Sequence, residues 1–175
     1  MLYARKINSC SWFISEYDDS DSISELNTTE HTLSVWKVPD DKSNIDDIAL
    51  ALALTRTKVD ELYIVFMNLD QIEQKYKWKV ELVPQIGESK YEAMCSEHTN
   101  FKIETLWEQG DLAHYIHTLI HDEELQNYTY YSVPRLIDLL WNAIKNNKIE
   151  KDSFKSKGGE WWSKIKELQK IRGQL

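Results

Sequence analysis

Three of the five histidines fall close together, at His114, His117 and His121. On a helix, at about 100° per residue, they occupy a window of roughly 60° and form one row. Such a row could ligate a metal or make a pH-sensitive contact, because His changes charge near neutral pH. His114 and His121 lie about 10 Å apart along the axis, so all three cannot reach one zinc at bonds of about 2 Å. A pair can: His117 with His121, or His114 with His117, helped by a residue such as Asp122 or Glu124. His117-Thr118-Leu119-Ile120-His121 lacks the glutamate that serves as base in an HExxH site. Leu112, Tyr115, Ile116, Leu119 and Ile120 fall on the opposite side. They define the buried face, and the histidines are expected to point outward.

Carboxylates offer a second chemistry. Asp40 follows an apparent strand, and Glu73-Gln74-Lys75 supplies an ExK. In a metal-dependent hydrolase or nuclease, Asp40 and Glu73 would hold Mg²⁺ while Lys75 steadies the attacking water. Against this, Glu73 and Lys75 sit in a stretch read as helix, where residues two apart do not face together. The remaining acidic runs have no calcium-loop spacing. Cys10 and Cys95 form neither a CxxC pair nor a disulfide framework, and no base can be placed beside Cys95. With only five glycines, neither GxGxxG nor GxxxxGK[ST] can be built, and GxSxG is absent. No catalytic motif emerges, and no cofactor is expected.

These residues must be positioned by a mixed α and β body. Leu2 to Ile7 and Ser11 to Ile14 read as short extended pieces, followed by a polar loop over 15–30. Thr32 to Val38 alternates and ends at Pro39, which marks a strand. Ser43 or Asn44 caps a helix running to about Thr57, with almost no polar face between Ile48 and Leu54. A helix apolar all round is buried between layers. The continuous apolar run Glu61 to Met67 is a central strand. The three elements make a β-α-β unit, expected to pair its strands in parallel. Asn68 caps a short helix at 69–76, Trp78 to Val83 is a strand, Ser89 to Glu97 is weakly helical, and Phe101 to Leu106 is the last strand. Helices follow near 109–122 and 132–147, the second with Pro134 in its first turn and Ser132 as cap. A helical turn near 151–156, the Gly158-Gly159 break and a helix from Glu160 to about Arg172 complete the chain. The expected class is α/β to α+β, with a mixed sheet of four or five strands, one buried crossover helix and a C-terminal helical region. The division expected is an acidic body over 1–131 and a basic helical region over 132–175, in one continuous domain.

Charge is divided along the chain. Residues 1–144 carry 12 Lys and Arg against 25 Asp and Glu, and residues 145–175 carry 9 against 4. The two parts, −13 and +5, sum to the net −8. The basic end holds an amphipathic helix in which Trp161, Trp162, Ile165 and Leu168 share a stripe, with Lys166 and Lys170 opposite. That stripe, with Lys164, either docks on the chain's own body or fills a partner's groove. Lys148, Lys151, Lys155, Lys157 and Lys164 could contact nucleic acid, but the acidic body works against it.

The longest apolar stretch, Ile48 to Leu54, is far short of the ~20 residues of a membrane span, and no apolar h-region follows the first residues. The expectation is a cytoplasmic protein with reduced thiols. A strongly acidic surface steers basic partners. The leading expectation is therefore a non-enzymatic interaction module for a basic partner protein, as an accessory subunit or an inhibitor/immunity-type protein of a bacterial system. The alternatives are the metal-dependent hydrolase or nuclease and a nucleic-acid accessory acting through the lysine-rich end.

Overall fold

The structure, a computed structural model, describes residues 1–13, 19–26, 29–58, 60–150, 153, 159–171 and 173. Its centre is a sheet of six strands: β1 (Leu2–Ile7), β2 (Thr32–Val38), β3 (Leu62–Asn68), β4 (Glu81–Pro84), β5 (His98–Lys102) and β6 (Tyr128–Tyr131). Their order is β4-β5-β2-β1-β3-β6, and every neighbouring pair is antiparallel. The sheet therefore has six strands rather than four or five, and is antiparallel rather than mixed. β1 lies between β2 and β3, with Leu2 opposite both Val38 and Asn68. β2 and β3 run parallel but never touch. The helix between them crosses over β1, so the expected direct parallel pairing is replaced by a split crossover.

Helices cover both faces because strand alternation puts apolar side chains on both. Ala4, Trp36, Val38, Leu62, Ile64 and Phe66 face one layer, formed by α3 (Ile45–Leu54), α6 (Val133–Lys145) and α7 (Gly159–Ile171). Tyr3, Leu33, Val35, Val65, Met67 and Phe101 face the other, which contains α1 (Ser9–Trp12), α2 (Asp19–Glu25), α4 (Leu69–Tyr76) and α5 (Leu106–His121). α3 packs against α6 as well as the sheet, which explains its near absence of a polar face. The helices after residue 132 share the core of α3 and the sheet. Two ion pairs cross the same boundary, Lys148 to Asp47 at 3.0 Å and Arg135 to Asp46 at 3.7 Å.

Local signals set the ends of the elements. The Asn68 side chain accepts from the amides of Asp70 and Gln71, and Ser132 Oγ accepts from the Arg135 amide. Each such cap contributes about 1 kcal/mol. α3 stops at Leu54 rather than Thr57. There Thr55 Oγ1 donates to the Leu52 carbonyl, and the Arg56 guanidinium turns back onto the carbonyls of Asp60 and Glu61. Ser11 belongs to the short helix α1, not to a strand, because Asn8 Oδ1 caps it by accepting from the Cys10 amide. Ile14 lies outside the described residues. Of the expected 78–83 strand only Glu81 to Val83 pairs, with Pro84 added to β4, since Trp78 turns away to donate to Asp111. Residues Glu92–Glu97 form a 3-10 segment, β5 ends at Lys102, and β6 is a strand that the sequence pattern did not reveal. Of the turn expected near 151–156, only residue 153 is described, and Gly158 also lies outside.

Candidate functional site

The aromatic stripe of α7 is largely turned inward. Trp161 and Ile165 are both 0% exposed and belong to the core shared with α3, α6 and the sheet. Trp162 and Leu168 are half-buried at the edge of that core. The Trp162 ring lies 6.4 Å from that of Trp141, and the Lys166 ammonium is 5.4 Å from its centroid. Lys164 pairs with Glu167 within the helix at 3.3 Å. Of the other terminal lysines, Lys148 is held by Asp47, while Lys151, Lys155 and Lys157 lie outside the described residues. The inner half of the stripe thus serves the chain's own core, and only its rim faces solvent.

The histidine row forms on the outer side of α5, opposite buried Leu112, Ala113, Tyr115, Ile116, Leu119 and Ile120. His117 and His121 stack at 4.1 Å between centroids, and His121 Nε2 lies 2.7 Å from the Trp12 carbonyl oxygen. His114 meets the edge of Tyr76. These contacts use the rings for packing. Among the described residues, no three His, Cys, Asp or Glu side chains gather as a metal site.

The carboxylate constellation is also occupied by structural duties. Asp40 is exposed and sits 3.1 Å from the amino terminus. Glu73 Oε1 accepts from the Val80 amide, and Lys75 lies over the Tyr76 ring. Cys95 donates its thiol to the Ser89 carbonyl, while Cys10 is exposed.

The most conspicuous exposed feature is elsewhere, at the first turn of α5. Thr105 and Glu108 form a capping box. Thr105 Oγ1 accepts from the Glu108 amide at 3.2 Å, and Glu108 Oε2 accepts from the Thr105 amide at 3.0 Å. Glu108 also accepts from the Glu104 amide at 2.7 Å. This fixes the turn and leaves Leu106 and Trp107 projecting from it, 77% and 86% exposed. By helical angle, Trp107 lies about 180° from the middle of the buried face. An ordered turn therefore presents two large apolar side chains, the opposite of what burial favours.

Carboxylates surround this step. Glu104 and Glu108 flank it, and Asp111 follows one turn on, holding the Trp78 indole N–H at 3.1 Å. The cation Lys102 is shared between Glu104 at 2.8 Å and Glu81 at 3.1 Å. Hydrogen bonding to Glu104 and Glu81 pushes the Lys102 ammonium up, and Lys102 holds the Glu104 carboxyl below its usual range. Glu104 therefore stays ionised at neutral pH. The helix begins at Leu106 rather than near 109, so Leu106 belongs to α5 and not to the strand expected over 101–106. The signal that locates the site is Thr105-Leu106-Trp107-Glu108, the S/T-x-x-E pattern of a capping box.

No helix among the described residues is long and apolar enough to cross a membrane. No protein-family model, curated protein or solved structure matches this chain.

Proposed function

We propose that the chain is a non-enzymatic interaction module that binds a basic partner protein through Leu106 and Trp107. The observation that carries the reading is a tryptophan 86% exposed on a capped, ordered turn. Trp is over-represented among the residues that dominate interface energetics. A rigid aromatic anchor also loses little conformational entropy on binding.

Charge supports the choice of occupant. Glu104, Glu108 and Asp111 border the anchor, with Lys102 neutralised by two carboxylates. The part of the chain before residue 145 carries −13. That field speeds encounter with a cationic surface and repels nucleic acid. A second copy of this chain, at net −8, is a poor occupant for the same reason. An accessory subunit or an inhibitor/immunity-type protein is the setting such a module suits.

The test compares wild type and Trp107→Ala as baits in an extract of the native host at low salt. The expected result is a partner of basic isoelectric point on wild type, released by salt. Its affinity for Trp107→Ala falls about 30-fold or more, the effect of losing a hot-spot residue worth about 2 kcal/mol. Equal capture by both baits, or an acidic partner, contradicts the reading.

A further inference from the structure

A cleft of about 340 Å³ opens where the end of β1 meets the loop before β3. Its charged lining is two cations, Lys6 and Arg56, and two carboxylates, Asp60 and Glu61, with Asn8 and Tyr63 beside them. Most of its charged groups already have partners. Arg56 donates to the carbonyls of Asp60 and Glu61 and pairs with the Asp60 carboxylate at 3.3 Å. Glu61 accepts from Ser9 Oγ at 3.4 Å and from the Tyr130 hydroxyl at 3.0 Å.

Lys6 differs. Among the described residues its ammonium makes neither a hydrogen bond nor an ion pair. Arg56 and Arg5 are its cationic neighbours, and Glu25 and Asp60 act on it only through longer-range attraction. Lys6 is exposed at the wall of the cleft, so its ammonium is open to exchange water for an anion beside Arg56.

We propose that this cleft binds a small oxyanion, the phosphate or carboxylate group of a metabolite-sized ligand, with Lys6 Nζ as its principal donor. Asn8 and Tyr63 also line the cleft, although the Asn8 backbone amide is already given to Glu25 at 2.7 Å. The volume falls within the range of small-molecule sites, about 300–1,000 Å³. Partial desolvation in the cleft and the nearby Arg56 hold the Lys6 ammonium below the usual lysine range. A bound anion reverses that depression, because an opposite charge favours the protonated amine. The site is independent of Leu106 and Trp107, so it stands or falls apart from the partner-binding reading.

The experiment is an NMR titration of the full chain with lysine side-chain methylenes labelled, using inorganic phosphate in one arm and acetate in the other. Lys6 is assigned by its absence in Lys6→Met. The expected result is a saturable shift of the Lys6 signal at millimolar anion, with a rise in its apparent pKa. A response to phosphate alone assigns a phosphoryl ligand, to acetate alone a carboxylate ligand, and to both a general oxyanion site. Calorimetric affinity should fall about tenfold or more in Lys6→Met, as expected for losing a charged hydrogen bond, and be retained in Lys6→Arg. If neither anion moves the Lys6 signal, or Lys6→Met binds as tightly as wild type while keeping its circular dichroism spectrum, the proposal is wrong.

Discussion

Replacing Trp161 by alanine tests whether the C-terminal helix is part of the body or an arm laid on it. The indole is fully buried among residues of α3, α6 and the sheet. A tryptophan buries about 200–250 Å², and at ~25 cal/mol per Å² its removal has an upper bound of about 5–6 kcal/mol. Measured Phe or Trp to Ala changes in cores cost about 3–5 kcal/mol, cavity included. Trp161 Nε1 is buried without a hydrogen-bond partner among the described residues. Deleting it removes a standing penalty of about 1–2 kcal/mol. The expected loss is therefore about 3 kcal/mol, at the low end of that range, or a Tm lower by roughly 6–12 °C for a chain of this size. Trp162, half-buried beside Trp141 and Lys166, is the internal control. Its alanine variant should lose about 1 kcal/mol. Urea denaturation followed by far-ultraviolet circular dichroism gives both values, with the slope checking that the transition remains cooperative. Equal losses for the two variants, or less than about 1 kcal/mol for Trp161→Ala, would refute the docking of α7.

Three more outcomes follow from the same structure. Gln169 is 0% exposed with both side-chain polar atoms unpartnered among the described residues, so Gln169→Leu should raise stability by about 1 kcal/mol in the same urea assay. Thr105→Ala removes the side-chain half of the capping box and should cost about 1 kcal/mol, with faster amide exchange confined to the start of α5. Burial raises the phenols of Tyr3, Tyr63, Tyr91, Tyr115 and Tyr131 above the ordinary value of 10.0, and Asp46 adds to the effect at Tyr131. A raised folded-state pKa favours the neutral phenol, so stability from these groups is complete below pH 10.0 and is lost as pH rises through the folded-state values. Absorbance titration should show these tyrosines ionising later in the folded chain than in urea. Coincident curves would contradict their burial.

Much of the local structure was readable from short-range signals. Asn68 before Leu69, Ser132 before Val133-Pro134, and the apolar runs at Ile48–Leu54 and Leu62–Met67 each declare an element through capping or periodicity. What escaped was long-range. Nothing in Leu2–Ile7 says that it inserts between Thr32–Val38 and Leu62–Asn68, because strand insertion depends on the whole topology. Tyr128–Tyr131 is too short to stand out, and becomes a strand through its pairing with β3. The outward histidines and inward leucines of α5 followed from helical angle alone. Apolar periodicity alone begins α5 after Trp107, and only the capping signal of Thr105 and Glu108 brings Trp107 into its first turn. The Lys6 cleft has no sequence signature, since strand β1 meets residues 56–63 only in the folded chain.

The central claim is that Trp107 meets a basic protein. A photo-crosslinking aromatic residue placed at position 107, and in a separate variant at position 162, would test it most directly in the native host. A covalent adduct with a basic chain is expected from position 107, suppressed by salt, and none from position 162. An adduct from 162 alone, or only unmodified chain from both positions, would contradict it.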